Sequence, residues 1–377
     1  MSNLLDEKNV SLITKLSIGC HVSAAGGVWN APKNASDLGC ETFQIFTRPP
    51  MGGNAPVLTD EIVERFKEEM EKYYPAAPTT PPSDALGHPS LKKEGNAPRL
   101  SLKNRGASPP DKGEYHPKGG EGVGAIFVVH CPYFVNFGSK KPRIYHGSIS
   151  VVGEELKRAN LLGAKYVMTH LGSGKDLGQK AAVSQAKEGL AEVLKKYDGK
   201  TQFLLEIAAG AGETLGGTFE QLAELMEPLI KFKTFGGICF DTQHAFASGY
   251  DLRDEKSVAE IFKQFDKVIG LKWLKMSHIN DSKIELGGKK DRHEHIGDGK
   301  IGEAGFKALL EYLQSPPSFL KRGQGEFPLI FETGHDKVKK DIEILKSIRD
   351  GSASHSSPSD ARPSESRTGG KLRNKVK

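Results

Sequence analysis

Short apolar runs alternate along the chain with segments whose apolar residues recur at helical spacing. The runs predict eight strands, at residues 18–22, 42–46, 125–129, 165–168, 202–205, 237–240, 271–276 and 328–331. Helical spacing is clearest over 180–197 and 303–313. Continuous apolar strands that alternate with amphipathic helices indicate a parallel sheet covered by helices. Periodicity alone fits an open sheet equally well, but eight repeating units favour a closed barrel.

The predicted fold class is α/β, a single-domain (β/α)8 TIM barrel formed by residues 15–74 and 125–348. Residues 75–124 interrupt it and contain nine of the 21 prolines, and residues 349–377 are rich in serine and basic side chains. Neither segment has an apolar pattern that could bury a core, so both are predicted to be disordered. The insert falls between the second helix and the third strand, on the barrel face opposite an active site.

Charge and hydropathy narrow the classes of protein to consider. The net charge is +6, but the insert carries seven basic and five acidic residues and the tail seven and three, which leaves the rest of the chain with no net charge. The pI of 8.9 is therefore no evidence for a nucleic-acid-binding face on the barrel. A mean hydropathy of −0.44 and the lack of an apolar run near about 18 residues exclude a membrane-spanning helix. The four cysteines form no C-x-x-C pair, which indicates a reducing compartment and no zinc finger.

Six consecutive predicted strands end in a residue of a type that binds metal ions. These residues lie at the carboxyl end, where such a barrel has its active site. In strand order they are His130, His170, Glu206, Asp241, His278 and Glu332. Three more follow nearby: His244 after strand six, and Asp291 and His293 within D-R-H-E-H-I-G-D-G. One such residue alone would more commonly be a hydrogen-bonded loop residue. Carboxylates and imidazoles crowded together at one end of the barrel, however, require cations to balance their charge.

Nine candidate ligands are too many for one ion and suit two or three. Mixed imidazole and carboxylate ligands favour Zn, Mn or Fe over Ca or Mg. His21, which ends strand one, either supports this site through a hydrogen bond or is an ordinary buried histidine. The glycines at 210, 212 and 216 miss the G-x-G-x-x-G spacing, and the chain has neither a P-loop motif nor G-x-S-x-G. Dinucleotide, P-loop and serine-nucleophile sites are therefore set aside.

Eight short stretches follow one another along the predicted barrel. They read I-G-C-H-V-S-A-A-G-G (18–27), H-C-P-Y-F-V-N (130–136), H-L-G-S (170–173), E-I-A-A-G-A-G-E-T-L-G (206–216), C-F-D-T-Q-H-A-F-A-S-G-Y-D-L-R (239–253), H-I-N-D-S-K (278–283), D-R-H-E-H-I-G-D-G-K-I-G (291–302) and P-L-I-F-E-T (328–333). In content and order they resemble the endonuclease IV family of apurinic/apyrimidinic (AP) endonucleases. The resemblance implies a (β/α)8 barrel with three zinc ions that cleaves the DNA backbone 5′ to a base-less sugar.

The resemblance also distributes the ligands among the three ions. It implies one Zn2+ bound by His130, His170 and Glu206. A second would be bound by Asp241, His278 and Glu332, with Glu206 bridging to it. The third would be bound by His244, Asp291 and His293. Residues of the expected types fill all nine positions.

The same resemblance implies catalytic and DNA-binding roles. A water between two zinc ions would be the nucleophile, oriented or deprotonated by Glu332, while Arg292 would stabilise charge on the phosphate. Arg292 could equally hold a ligating carboxylate. Tyr133 and Phe134 would probe the gap left by the missing base, or else pack on the barrel rim. Where the family has an arginine that enters DNA, the loop F-T-R-P-P-M-G-G-N-A-P offers only Arg48.

The sequence thus predicts a zinc-dependent AP endonuclease of base-excision repair, a phosphodiester hydrolase that also cleans 3′ ends as a 3′-phosphodiesterase. Its partner would be double-stranded DNA with abasic sites or blocked 3′ ends, and we expect a monomer with no membrane partner. One alternative is a metal-bound abasic-DNA binder with lost or weak turnover, because the strand-two loop is altered and Ile207 and Ala208 are apolar. Another is a barrel sugar isomerase or epimerase.

The basic ending K-L-R-N-K-V-K is typical of a solvated tail as well as of a nuclear address. If the source is a eukaryote, the expected location is the nucleus, with the mitochondrion as a second one. Otherwise the expected location is the cytoplasm.

Overall fold

The computed structural model describes residues 15–76, 124–314 and 325–351. Its strands are β1 Lys15–His21, β2 Thr42–Ile45, β3 Phe127–His130, β4 Tyr166–Thr169, β5 Gln202–Glu206, β6 Phe235–Asp241, β7 Leu274–His278, β8 Asp281–Ser282, β9 His293–Glu294 and β10 Glu326–Phe331. Strands β1 to β7 and β10 are parallel and close a barrel in which β10 pairs with both β7 and β1. Strands β8 and β9 form a separate antiparallel pair. The closed eight-stranded barrel confirms the predicted fold.

Helices connect the strands and cover the outside of the barrel. They are α1 Ala31–Asp37, α2 Asp60–Tyr73, α3 Pro142–Leu162, α4 Gln179–Lys195, α5 Phe219–Met226, α6 Thr242–Ser248, α7 Glu255–Val268, α8 Gly302–Gln314 and α9 Val338–Arg349. The predicted helical segments 180–197 and 303–313 correspond to α4 and α8, which bury one apolar face each. Among the described residues, no helix has the length and apolarity needed to cross a membrane.

Alternation of side chains along the strands divides the core in two. A large cluster fills the space between the sheet and the helices. A small inner cluster takes residues from six strands: Val128, Tyr166, Met168, Leu204, Cys239, Met276 and Ile330. Because successive strand residues point to opposite faces, this second set fills the interior of the barrel. It forms the floor beneath the carboxyl ends of the strands.

Several boundaries differ from the predictions, such as those of β1 and β3, and two of the differences have a clear physical reason. Residues Leu271–Trp273, predicted as the start of strand seven, form a 3-10 turn, and β7 begins at Leu274. The turn follows from Gly270, whose φ of 93° reverses the chain after α7, and from the Leu271 N–H, which donates to Asp266 at 3.0 Å. Arg349, assigned to the tail, instead ends α9 and pairs with Glu41. Most of the predicted insert, 77–123, and of the predicted tail, 352–377, lies outside the described residues.

Candidate metal centre

Each of the six predicted strand-end ligands lies two positions beyond a residue of the inner cluster. His130 follows Val128, His170 follows Met168, Glu206 follows Leu204, Asp241 follows Cys239, His278 follows Met276 and Glu332 follows Ile330. Residues two apart on a strand share a face. The strands therefore project all six side chains toward the barrel axis at its carboxyl end.

Glu206 lies at the middle of this group and is fully buried. Its Oε1 is 2.8 Å from His278 Nδ1 and 3.4 Å from His244 Nδ1. Its Oε2 is 3.2 Å from His130 Nε2 and 3.6 Å from His170 Nε2. Both carboxylate oxygens thus face imidazole nitrogens, which is the arrangement that a bridging ligand requires.

A second group of ligand atoms adjoins Glu206. His278 Nδ1 is 3.3 Å from Glu332 Oε2 and 3.8 Å from Asp241 Oδ2. One ligand atom from each of these three residues and from Glu206 lies within 4.8 Å of the others. The same holds for His130, His170 and Glu206. The structure therefore brings together the side chains that were predicted for the first two ions.

The third predicted group is assembled by a helix cap and by the β8–β9 pair. Asp241 caps α6 by accepting from the His244 N–H at 2.7 Å, which places the His244 ring beside it. Asp291 is 3.4 Å from both His244 Nε2 and His293 Nε2. The set whose ligand atoms all lie within 4.8 Å of one another here is Asp241, His244 and His293, while the predicted ligand Asp291 is more than half exposed. Asp241 thus also borders this third group.

Buried charge dominates the electrostatics of the site. Burial opposes ionisation of Glu206, but the imidazoles of His170 and His278 hold its pKa well below the usual value. Burial likewise opposes ionisation of Glu332, while His278 lowers its pKa to about 2. In the opposite sense, burial disfavours charge on His244, but Asp241, Asp291 and Glu206 raise its pKa well above normal. The carboxylates stay ionised and require positive charge among them.

One donor atom shows directly that the site suits a cation. Among the described residues, the buried His293 Nε2 has no hydrogen-bond partner, although it lies 3.4 Å from Asp291 Oδ1 and 3.7 Å from Asp241 Oδ2. A buried imidazole nitrogen without a partner is costly unless an ion occupies the space before it. Imidazole and carboxylate donors in this number fit metal ions such as zinc.

Buried polar residues that the sequence analysis missed hold the ligands in place. Gln44 accepts from His278 Nε2 at 2.8 Å and donates to Glu332 at 2.6 Å. Asn280 donates to Asp241 at 2.9 Å and accepts from the Glu332 N–H at 2.8 Å. Such contacts fix the tautomer and orientation of metal ligands. The signal in the sequence that could have identified them is their position: Gln44 lies inside strand β2, and Asn280 lies two residues after the end of β7.

Asp281, also missed, organises the loop that carries Asp291 and His293. Its buried carboxylate accepts backbone N–H groups, among them those of Gly297 at 3.0 Å and Ile301 at 2.9 Å. The Cβ of any other residue at 299 would lie 2.4 Å from that carboxylate, which explains the glycine there. The G-D-G-K-I-G stretch is therefore wrapped around one carboxylate.

His21 adopts the supporting role that was one of its two predicted possibilities. Its Nδ1 lies 3.0 Å from Gln44 Nε2, so it is linked to Glu332 through that amide. Burial lowers the pKa of His21 to about 3, which keeps the ring neutral and able to accept. Its ring also packs against Phe46, with 4.4 Å between the centroids.

The predicted DNA-contact residues divide into two classes. Tyr133 and Phe134 are 56% and 41% exposed beside His130, and Met51, which the sequence analysis missed, is 83% exposed. The Tyr133 N–H donates to the Pro50 carbonyl at 3.1 Å and joins the two loops. We call the side chains of Met51, Tyr133 and Phe134 the rim. Arg292 is also exposed, and its guanidinium donates to the Asp291 carbonyl at 2.6 Å.

Arg48 requires a correction. Its side chain is only 5% exposed and forms ion pairs with Glu155, which is fully buried, and with Glu154. Because a buried carboxylate needs a cation, the guanidinium turns into the protein and is not offered to DNA. Arg158 completes the network by donating to the Thr47 and Pro56 carbonyls at 2.6 and 2.7 Å. Arg48 therefore anchors the loop after β2.

Comparison with known proteins agrees with this geometry. A family profile described as a xylose isomerase-like TIM barrel matches residues 121–347. A probable endonuclease 4 of Nitrosopumilus maritimus is 32% identical over 335 residues, covering 89% of this chain and 99% of that protein. The apurinic-apyrimidinic endonuclease of Caenorhabditis elegans is 33% identical over 316 residues, covering 82% and 67%.

A solved structure extends the match to three dimensions. The crystal structure of endonuclease IV from Thermus thermophilus has a TM-score of 0.65 and 26% identity, over 89% of this chain and 99% of that one. These matches confirm the resemblance seen in the sequence motifs. The chain belongs to the endonuclease IV family of xylose isomerase-like TIM barrels.

Proposed function

We propose that the protein is an AP endonuclease, a phosphodiester hydrolase that cleaves duplex DNA 5′ to base-less sites in base-excision repair. The observation that carries the proposal is Glu206, buried among four imidazoles at the open end of the barrel. Relatives named for endonuclease 4 and for apurinic-apyrimidinic endonuclease activity support it. Blocked 3′ ends present the same kind of bond, so 3′-phosphodiesterase activity is part of the proposal.

The proposed metal is zinc, with three ions per chain. His130, His170 and Glu206 would hold one, and Glu206, Asp241, His278 and Glu332 a second. His244, Asp291 and His293 would hold the third, with Asp241 next to them. When bound, such ions act as Lewis acids on a phosphate and lower the pKa of water, which supplies a nucleophile at neutral pH.

Glu332 and Arg292 have the clearest roles among the chain's own groups. Gln44 holds one oxygen of Glu332, and the side chain is 12% exposed at the mouth of the site. Glu332 is therefore proposed to orient the attacking water. Arg292 is exposed next to Asp291, where its guanidinium can neutralise charge on the phosphate.

The rim is proposed to recognise the lesion. Apolar side chains such as Met and Phe enter DNA where bases are unstacked, and the cost is lowest where a base is already missing. Met51, Tyr133 and Phe134 present apolar surface beside the metal centre, from two loops joined by a hydrogen bond. Flipping of the base-less sugar toward the metal centre would leave a gap that these side chains can fill.

The test is incision of a labelled duplex with one base-less site by the purified full-length chain, with metal content measured on the same sample. We expect one cut 5′ to the site, about three zinc ions per chain and loss of activity after chelation, restored by zinc. Tight binding without incision at full metal content would instead establish the binder alternative. Epimerisation of ketoses without action on DNA would establish the sugar-epimerase alternative.

A further inference from the structure

Two cysteines that are distant in sequence meet in the wall of the barrel. Cys20 lies in β1 and Cys40 shortly before β2, and their sulfur atoms are 3.5 Å apart. Both are free thiols, 1% and 6% exposed. We infer that this pair is an oxidation site, at which peroxide forms a disulfide between Cys20 and Cys40. A disulfide bond is about 2.05 Å long, so the sulfurs need to approach by about 1.5 Å.

The surroundings make Cys40 the attacking thiol. Lys346 donates to the carbonyl of Gly39, the residue before Cys40, at 2.7 Å, and its ammonium group also lies 3.6 Å from Glu41. The hydrogen bond with Cys20 lowers the pKa of Cys40, assisted by Lys346 and opposed by burial and by Glu41. The same hydrogen bond, together with burial, raises the pKa of Cys20. Thiolate character belongs to Cys40, and the proton stays on Cys20.

The chemistry balances with hydrogen peroxide as the oxidant. The Cys40 thiolate attacks one peroxide oxygen, the O–O bond breaks, and the leaving hydroxide takes up a proton to become water. The resulting sulfenic acid is attacked by the sulfur of Cys20, which forms the S–S bond and releases a second water. Two thiols lose two electrons and two hydrogens, and one peroxide is reduced to two waters.

The remaining two cysteines lack these features. Cys131 and Cys239 are fully buried, and in the part of the chain that the structure describes neither forms a hydrogen bond with another cysteine. Without a second thiol in contact, neither can close a disulfide without a large movement of the barrel wall.

The crosslink would tie strand β1 to the segment that leads into β2. Strands β1 and β2 are neighbours in the barrel wall, and a disulfide would add a covalent bond to their backbone pairing. A disulfide between residues 20 positions apart closes a loop that contains α1 and restricts the unfolded chain. We expect the melting temperature to rise by roughly 5 °C on oxidation.

The experiment uses the full-length, metal-loaded protein treated with hydrogen peroxide, then denatured in the presence of an alkylating agent and analysed by mass spectrometry. We expect two of the four thiols to disappear and a linked peptide pair of Cys20 and Cys40 that dithiothreitol separates. Cys40→Ser abolishes the pair, whereas Cys131→Ala keeps it. Four surviving thiols, a different pairing, or Cys40 oxidised to sulfinic acid with Cys20 free would overturn the inference.

A second measurement does not depend on the variants folding. Melting curves of the wild-type protein are recorded before oxidation, after it, and after reduction with dithiothreitol. A reversible rise that accompanies the loss of two thiols supports the crosslink. A melting temperature that stays the same or falls after both thiols have been lost would show that the crosslink does not stabilise the protein. Neither measurement involves DNA, so the result is independent of the proposed function.

Discussion

The metal centre and the rim lie side by side at the carboxyl end of the barrel, but different forces position them. Glu206 and Asp241 are fully buried and project from strands, so side-chain alternation along β5 and β6 sets their direction. Met51 and Phe134 are exposed on loops. What fixes those loops is a backbone hydrogen bond from Tyr133 to Pro50 and the ion pairs beneath them.

Under the proposed function, this difference separates chemistry from recognition. In the metal centre each carboxylate faces several imidazoles, so removing one leaves uncompensated charge in a buried place. On the rim, Met51 and Phe134 carry no charge and are 83% and 41% exposed, so either can change without leaving a buried charge uncompensated. We therefore expect substitutions in the centre to abolish metal binding and incision together, and substitutions on the rim to change only the selection of DNA.

The largest effect is expected for Glu206→Gln. The variant keeps the shape of the side chain but removes the negative charge that faces four imidazoles. Incision should fall by roughly 10³-fold, and at least one metal ion per chain should be lost. Metal analysis and incision rates of the same preparation measure both.

Glu213→Gln is the matched control, since Glu213 is exposed in the loop after the same strand. It should keep its full metal content and rate. A Glu206→Gln protein that retained all its metal and its activity would show that Glu206 does not bind an ion.

The sequence was sufficient to place the centre because the barrel period determines it. Once a strand is recognised, a ligand type two residues beyond an inward apolar residue must point to the axis, as His130 does after Val128. The supporting residues were not predictable in this way. Gln44 reads as an ordinary polar residue in a strand, and its role depends on His278 and Glu332, more than 200 positions away.

Arg48 shows why the role of the loop after β2 could not be predicted. Its residue type and its place in a loop after strand two suggest a DNA contact. Its actual partner, Glu155, lies in α3, 107 residues further along the chain. A local pattern contains no information about such a contact, and burial of the carboxylate decides the direction of the arginine. The exposure of Asp291 was equally unpredictable, since it depends on the β8–β9 pair.

Arg48→Ala tests this corrected role and should have the next largest effect. It leaves buried Glu155 without its main partner, so the free energy of unfolding should fall by about 3 kcal/mol in urea titrations. The salt dependence of DNA binding should not change. If Arg48 did contact a phosphate, the slope of log affinity against log salt would shift by about one instead. The double variant Arg48→Met with Glu155→Gln removes both charges and should recover most of the stability.

Asn280→Ala addresses the support of the centre and should have an intermediate effect. Asn280 is buried and holds both Asp241 and the backbone of Glu332. Loss of such a contact typically weakens metal affinity by about 10- to 100-fold. Competition with a chelator measures the affinity. Asn34→Ala, which removes a hydrogen bond from α1 to the Ser23 carbonyl, should leave it unchanged, and an equal effect of the two would refute the proposed role.

The smallest effects are expected on the rim, and they test the comparison most directly. Phe134→Ala and Met51→Ala remove exposed apolar surface, so each should weaken binding of an abasic duplex by about three- to tenfold. Binding of an intact duplex and metal content should stay the same, because the rim does not contact the buried ligands through these two side chains. Ile230→Ala is the control, since that side chain is half exposed between α5 and β6, at the opposite end of the barrel.

Equal losses on intact and abasic DNA would mean that the rim contributes general affinity and does not recognise the lesion. A loss of metal in either rim variant would mean that centre and rim are coupled, and the separation of chemistry from recognition would not hold.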